Sequence, residues 1–206
     1  MTQKIAELIE RWNSGEGKPY KGSLIDWSAY EANPESIQCF CAQGQVLHVV
    51  DGWTPERLRN TEQQEADKRV AELLNISRAH AILLRNVNDK VDGAPSIVLT
   101  DPGKVLGGEW SKLLDFWWHM DRMTPEQWAA ARAAAQAAAQ AAAWAAARAA
   151  WAAARDAAGD AAGEIQGAHI FKAAGRPFYF LPLFGFADPD AIPARPADYG
   201  ATPTPA

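Results

Sequence analysis

Thr124-Pro125-Glu126-Gln127-Trp128-Ala129-Ala130-Ala131-Arg132 opens the stretch on which the architecture turns. Thr124 is a favoured N-cap residue, and Pro125 brings the fixed φ that suits a first helical position. Gln127 stands three residues after the cap and completes a capping box. Behind it, 24 of the 34 residues from Ala129 to Ala162 are alanine, the residue of highest helix propensity. No Gly or Pro interrupts the run before Gly159. A continuous helix from Pro125 to Ala162 would extend about 57 Å, at about 1.5 Å per residue.

The few large side chains set the faces of that helix. With Trp128 as origin, Gln140, Trp144, Arg148, Trp151 and Arg155 fall in one stripe about 80° wide, and most of the opposite surface is Ala. Arg148 lies within one helical turn of Trp144 and Trp151, and Arg155 within one turn of Trp151, so the guanidinium groups can stack on the indoles. Alanine faces let two backbones approach to the low end of the usual range of about 8–10 Å. Trp128, Trp144, Arg148, Trp151 and Arg155 are therefore the expected interface residues. Three uses compete: packing against the rest of the chain, pairing with a second copy, or gripping a base or phosphate. Asp156, Asp160 and Glu164 form an acidic ridge near the end of the block, read as solvated, as facing a partner cation or as a divalent metal site.

Upstream, residues 1–123 read as a compact set of short helices. Ile5, Leu8, Ile9 and Trp12 recur at helical spacing and stop at Asn13-Ser14-Gly15. Asn33-Pro34-Glu35 reads as a helix start that launches Ser36–Val50, and Thr54-Pro55-Glu56 as another of the same kind. Ala66, Val70, Leu73 and Leu74 mark one face of a helix over 62–74. A helix over 77–86 is expected to break at Asn88-Asp89, before a turn at Asp92-Gly93-Ala94-Pro95. Ile97-Val98-Leu99 is strand-like but too short for a sheet. Asp101-Pro102 begins a helix interrupted by Gly107-Gly108, which resumes through Trp110, Leu113, Leu114 and Trp117.

Downstream of the Ala block (124–167), residues 168–206 change character. Pro177-Phe178-Tyr179-Phe180-Leu181-Pro182-Leu183-Phe184-Gly185-Phe186 is aromatic and punctuated by Pro. Proline is confined to sheet edges, so an extended segment folded back against the long helix is expected. Pro189, Pro193, Pro196, Pro203 and Pro205 then predict a free polyproline-like tail. The fold class expected is mostly α, with a helical N-terminal domain, one long Ala-rich helix and an extended C-terminal segment.

The net charge of −5 argues against coating nucleic acid, which needs an excess of Lys and Arg. Bulky apolar runs of membrane-spanning length are absent, as is an apolar signal core near Met1, which points to a cytoplasmic protein. Cys39 and Cys41 are the only cysteines. At i and i+2 a mutual disulfide is strained, so two reduced thiols are expected.

Catalytic chemistry has one candidate centre. Cys41 falls early in an expected helix, where it reads either as a small buried cysteine beside a satisfied histidine or as a thiol activated by a lowered pKa. His48 lies on the same face but two turns away, some 10 Å along the backbone, too far for direct proton transfer. His80, His119 or the run Asn86-Val87-Asn88-Asp89 could supply a base or an orienting group. Zinc through Cys39, Cys41, His48 and His80 would use an unusual ligand spacing. There is no phosphate loop, dinucleotide fingerprint or nucleophile elbow, so neither a cofactor nor a metal is expected.

Cys41-Ala42-Gln43-Gly44, the helix that follows it, Val87-Asn88-Asp89 and the helix through Trp110–Met123 resemble a family of small uncharacterised actinobacterial and actinophage proteins. Those proteins carry Cys-Ala-x-Gly and a later Trp-Asn-Asp; the resemblance spans about residues 36–120, with Val87 in the place of Trp. The Ala/Trp/Arg block is similar to Ala-rich stretches of actinophage proteins. Neither likeness implies an established activity; the packing surface of the long helix predicts a phage-type or accessory interaction or structural protein acting on itself, as a homo-oligomer, or on a host or virion protein. The alternative is a small thiol-dependent hydrolase or transferase using Cys41, with His48, Asn88 and Asp89 in support. Gly44 is equally read as a site of close helix packing.

Overall fold

The computed structural model describes residues 3–145 and 181–200. The described chain is mostly helical, with two isolated β-bridges and no strand among the described residues. It divides into two units, residues 1–107 with 196–206, and residues 108–195.

The first unit begins with α1 (Gln3–Ser14), which buries Ile5, Leu8, Ile9 and Trp12 as its periodicity predicts. Gly15 then takes φ +82, the left-handed region in which glycine ends a helix without strain. The short α2 (Trp27–Ala32) starts at Asp26, whose carboxylate accepts from the Ala29 N–H at 3.1 Å. Asn33-Pro34-Glu35 starts no helix: the Asn33 N–H closes α2 on the Ala29 carbonyl. The expected helix over 36–50 is broken into a 3₁₀ turn (Ile37–Cys39), an extended Phe40-Cys41 step, α3 (Ala42–Gln45) and a π-helical turn (Val46–Val50).

The physical reason is a long-range pairing. The Tyr20 N–H donates to Phe40 O (2.9 Å), Asp26 N–H to Cys39 O (2.7 Å) and Cys41 N–H to Leu24 O (3.2 Å). These bonds hold Phe40 and Cys41 extended, so Cys41 becomes the N-cap of α3 instead of an interior residue.

Thr54-Pro55 does begin a helix, α4 (Pro55–Asn60), with the Thr54 hydroxyl accepting from Arg57 N–H. α5 (Gln63–Leu74) buries Ala66, Val70, Ala71 and Leu74 against α6 (Arg78–Lys90). Asn75, in the left-handed region at φ 49, ends α5, and Ser77 caps α6 through His80 N–H. Asn88-Asp89 do not break α6. Asn88 is buried and donates to the Tyr20 carbonyl at 2.7 Å, so the helix continues to Lys90. The strand-like triplet 97–99 is also helical, within α7 (Ile97–Thr100); the Ser96 carbonyl accepts from Thr100 N–H and closes the turn. α8 (Gly103–Leu106) ends at Gly107, φ +82.

Residues 196–200 pack on this first unit, so this part of the tail does not hang free; Pro203 and Pro205 lie outside the described residues. The Gly200 N–H donates to Asn75 O at 2.7 Å, and Tyr199 stacks on His80.

The second unit contains α9 (Trp110–Met120) and α10 (Pro125–Ala145). Its core is Leu113, Leu114, Phe116, Trp117 and Met120. Residues 181–184 lie against α10 as a 3₁₀ turn (Leu181–Phe184), not as an extended stretch, while residues 177–180 lie outside the described residues. Phe184 meets Phe116 and Trp128 edge-on, at 5.1 and 6.1 Å between ring centres. Pro189–Ala191 forms a second 3₁₀ turn, capped by Asp188. Arg195 closes the unit: its backbone N–H and guanidinium both donate to Asp115, and the guanidinium also reaches Ser111 O. Where the composition changes after residue 123, the contacts change after Gly107, which places α9 with α10.

Candidate functional site

Cys41 sits where the extended step meets α3. It is 1 % exposed, and its sulfur accepts from the Gly44 N–H at 3.4 Å. Burial dominates over this bond and pushes the thiol up from 9.0 to about 11. That is opposite to the activation expected for a thiol at a helix start. Burial also raises Cys39, whose sulfur donates to Ser36 O at 2.9 Å.

The groups named as supports for Cys41 are engaged elsewhere. His48 donates Nδ1–H to the Trp53 carbonyl at 2.7 Å and stacks on Phe40, 4.7 Å between ring centres. Asn88 donates to Tyr20 O and to the Asp89 carboxylate, and Asp89 accepts from the Gly22 N–H at 3.0 Å. Asn88 and Asp89 thus hold the Tyr20–Gly22 backbone, which runs beside Cys41 through the Tyr20–Cys41 bridge. His119 belongs to the second unit, where burial lowers its pKa and Phe186 meets it edge-on.

The other residues of Cys41-Ala42-Gln43-Gly44 also have structural explanations. Ala42 is fully buried. Gln43, also fully buried, donates to Asp67 at 2.8 Å and to Ala81 O at 3.0 Å, and accepts from Gln63 at 2.7 Å. Asp67 is 3 % exposed and pairs with Arg85 at 3.2 Å. A Cβ on Gly44 would lie 2.1 Å from the Leu24 carbonyl oxygen, so only glycine admits this approach. The resemblance motif therefore marks the crossing of α3, the 20–25 loop, α5 and α6. Buried polar groups must be paired, and here each partner comes from a different element.

Gln45 plays the same part towards α1. It accepts from the Trp12 indole at 2.7 Å and donates to the carbonyls of Gly17, Ile37 and Phe40. Sequence reading gave Gln43, Gln45, Asp67 and Arg85 no part in a buried network, because nothing in their spacing distinguishes a buried amide or ion pair from a solvated one. A cleft of about 480 Å³ opens near this network, lined among others by Tyr20, Asp26, Trp27, Arg59 and Gln63. Arg59 lies over the Trp27 ring, 4.5 Å from its centre.

Of the expected interface residues, Trp128 is half-buried against Phe184. Trp144 lies within α10, and the structure does not describe its side chain. Arg148, Trp151 and Arg155, with the acidic ridge of Asp156, Asp160 and Glu164, lie outside the described residues. On the described part of α10, Ala131 is buried, while Ala129, Ala130, Ala133 and Ala137 are exposed. A cleft of about 340 Å³ lies between α10 and residues 182–186.

Among the described residues no three His, Cys, Asp or Glu side chains form a group able to hold a metal ion. None of the described helices is long and apolar enough to cross a membrane. No family model matches the chain, and neither the curated proteins nor the solved structures contain a match.

Proposed function

We propose that this protein is an interaction or structural component of the phage type, acting through its Ala-rich helix in a homo-oligomer or a larger assembly. The observation that carries this reading is the exposure of Ala129, Ala133 and Ala137 on a helix that meets its own 181–186 segment along another side. A helix fixed along one side and coated with methyl groups along another is shaped for close backbone approach, where the gain comes from many short contacts. The capping box makes the start of that surface rigid: the Thr124 hydroxyl accepts from Gln127 N–H at 3.2 Å, and the Gln127 carbonyl oxygen accepts from Thr124 N–H at 2.8 Å.

Ala133→Glu with Ala137→Glu places two carboxylates on the exposed face without touching the buried one. Sedimentation equilibrium of the full chain is expected to show a concentration-dependent oligomer that this double change shifts to monomer. A wild-type chain that remains monomeric at high concentration would refute self-assembly. Capture of the virion or host partner would then have to depend on the same two positions for the reading to stand.

A further inference from the structure

The geometry points to a tyrosine-recognition notch formed by Asn75, Ser77 and His80, filled here by the chain's own Asp198-Tyr199-Gly200 and able to take the same segment from a second copy. The Tyr199 hydroxyl lies 2.8 Å from His80 Nδ1 and 3.3 Å from Ser77 Oγ, and accepts from Ser77 N–H at 3.2 Å. The other His80 nitrogen, Nε2, stands 2.8 Å from the Val98 carbonyl and must donate to it. In neutral His80, Nδ1 is therefore the acceptor, and the Tyr199 O–H points at it. The rings stack at 5.8 Å, with 12° between planes. On either side of the ring, Asn75 Nδ2 donates to Asp198 O, and Gly200 N–H donates to Asn75 O, both at 2.7 Å.

This is a complete binding site for a short segment: a ring face, a hydroxyl pocket and main-chain partners on both sides. It is independent of α10, and only residues 196–200 of the described tail use it. Arg195, immediately before, is anchored on Asp115 and Ser111 of the second unit. The hinge therefore falls at Arg195-Pro196, between Pro193 and the strap. Prolines restrict folding back of a hinge and favour exchange of the segment beyond it. Every copy carries both strap and notch, so an exchanged pair loses none of these contacts.

Complementary full-chain variants test this. Tyr199→Ala keeps the notch and spoils the strap; His80→Ala keeps the strap and spoils the notch. Both are made with Ala133→Glu and Ala137→Glu, so that association through α10 does not contribute. Each alone is expected to sediment as a monomer, and the mixture to form a 1:1 dimer. A synthetic peptide spanning Ala194–Gly200 should dissolve that dimer, and the peptide with Tyr199→Phe should do so at least about tenfold less well, having lost the hydroxyl bonds. If His80→Ala unfolds, Asn75→Gly replaces it, since glycine keeps the left-handed turn and removes only the two side-chain bonds to Asp198. A mixture of folded variants that stays monomeric, or a Phe peptide that competes equally, overturns the proposal.

Discussion

Gly44 shows how far a single residue constrains this chain. Its backbone supports α3 like any other, but the Leu24 carbonyl occupies the space a side chain would need. Gly44→Ala is expected to cost about 1–3 kcal/mol, the usual range for overpacking a rigid contact. Urea denaturation reads that loss; an unchanged midpoint would mean that the 20–25 loop yields without cost. Cys41, three residues earlier, is predictable in sign. Its folded thiol is raised to about 11 by burial, while the unfolded thiol ionises near 9.0. The unfolded chain therefore sheds its proton first, and stability is complete below pH 9 and declines as the pH climbs towards 11. Alkylation of Cys41 in the folded protein should be far slower than in urea at pH 8. Equal rates would contradict the burial.

Among the elements, α10 is secured at its first turn by neighbours in sequence. Thr124→Ala is expected to cost about 1 kcal/mol and to speed hydrogen exchange in the first turn of α10 while leaving α5 and α6 untouched. The π-helical turn is secured from far away. Arg69, on α5, donates to both oxygens of Asp51 at 2.6 Å, and the Trp53 indole donates to one of them at 2.7 Å. These bonds, the guanidinium first, hold the Asp51 carboxyl below its ordinary 3.8. Their stabilisation is present at neutral pH and is lost as the pH falls below that ordinary value. In Asp51→Asn the acid limb of a stability–pH curve should flatten; a curve parallel to wild type would show that the pair contributes nothing.

Across the whole molecule, the two units give a different kind of prediction. Asp115, 7 % exposed, takes the bonds that tie Arg195 into the second unit. Asp115→Asn is expected to cost about 1.5–3 kcal/mol, the range for hydrogen bonds to a charged group. Exchange should accelerate in α9 and in the amide of Arg195, while the slow amides of α5 and α6 keep their rates, as separate cooperative units require. Acceleration everywhere would make the chain one cooperative body.

The face of α1, the starts of α4 and α10, and the helical nature of the described chain could all be read directly from residue order. Each depends on neighbours within one or two turns, and Thr124, Gln127, Pro55 and the Ile5–Trp12 spacing state those contacts outright. The breaking of 36–50, the passage of α6 through Asn88-Asp89 and the docking of Tyr199 on His80 could not be read this way. Every one of them is set by a partner distant in the chain, such as Tyr20, Leu24 or Ser77. A carbonyl or hydroxyl brought in from such a distance changes the free energy of a local conformation by as much as propensity does, and periodicity carries no record of it.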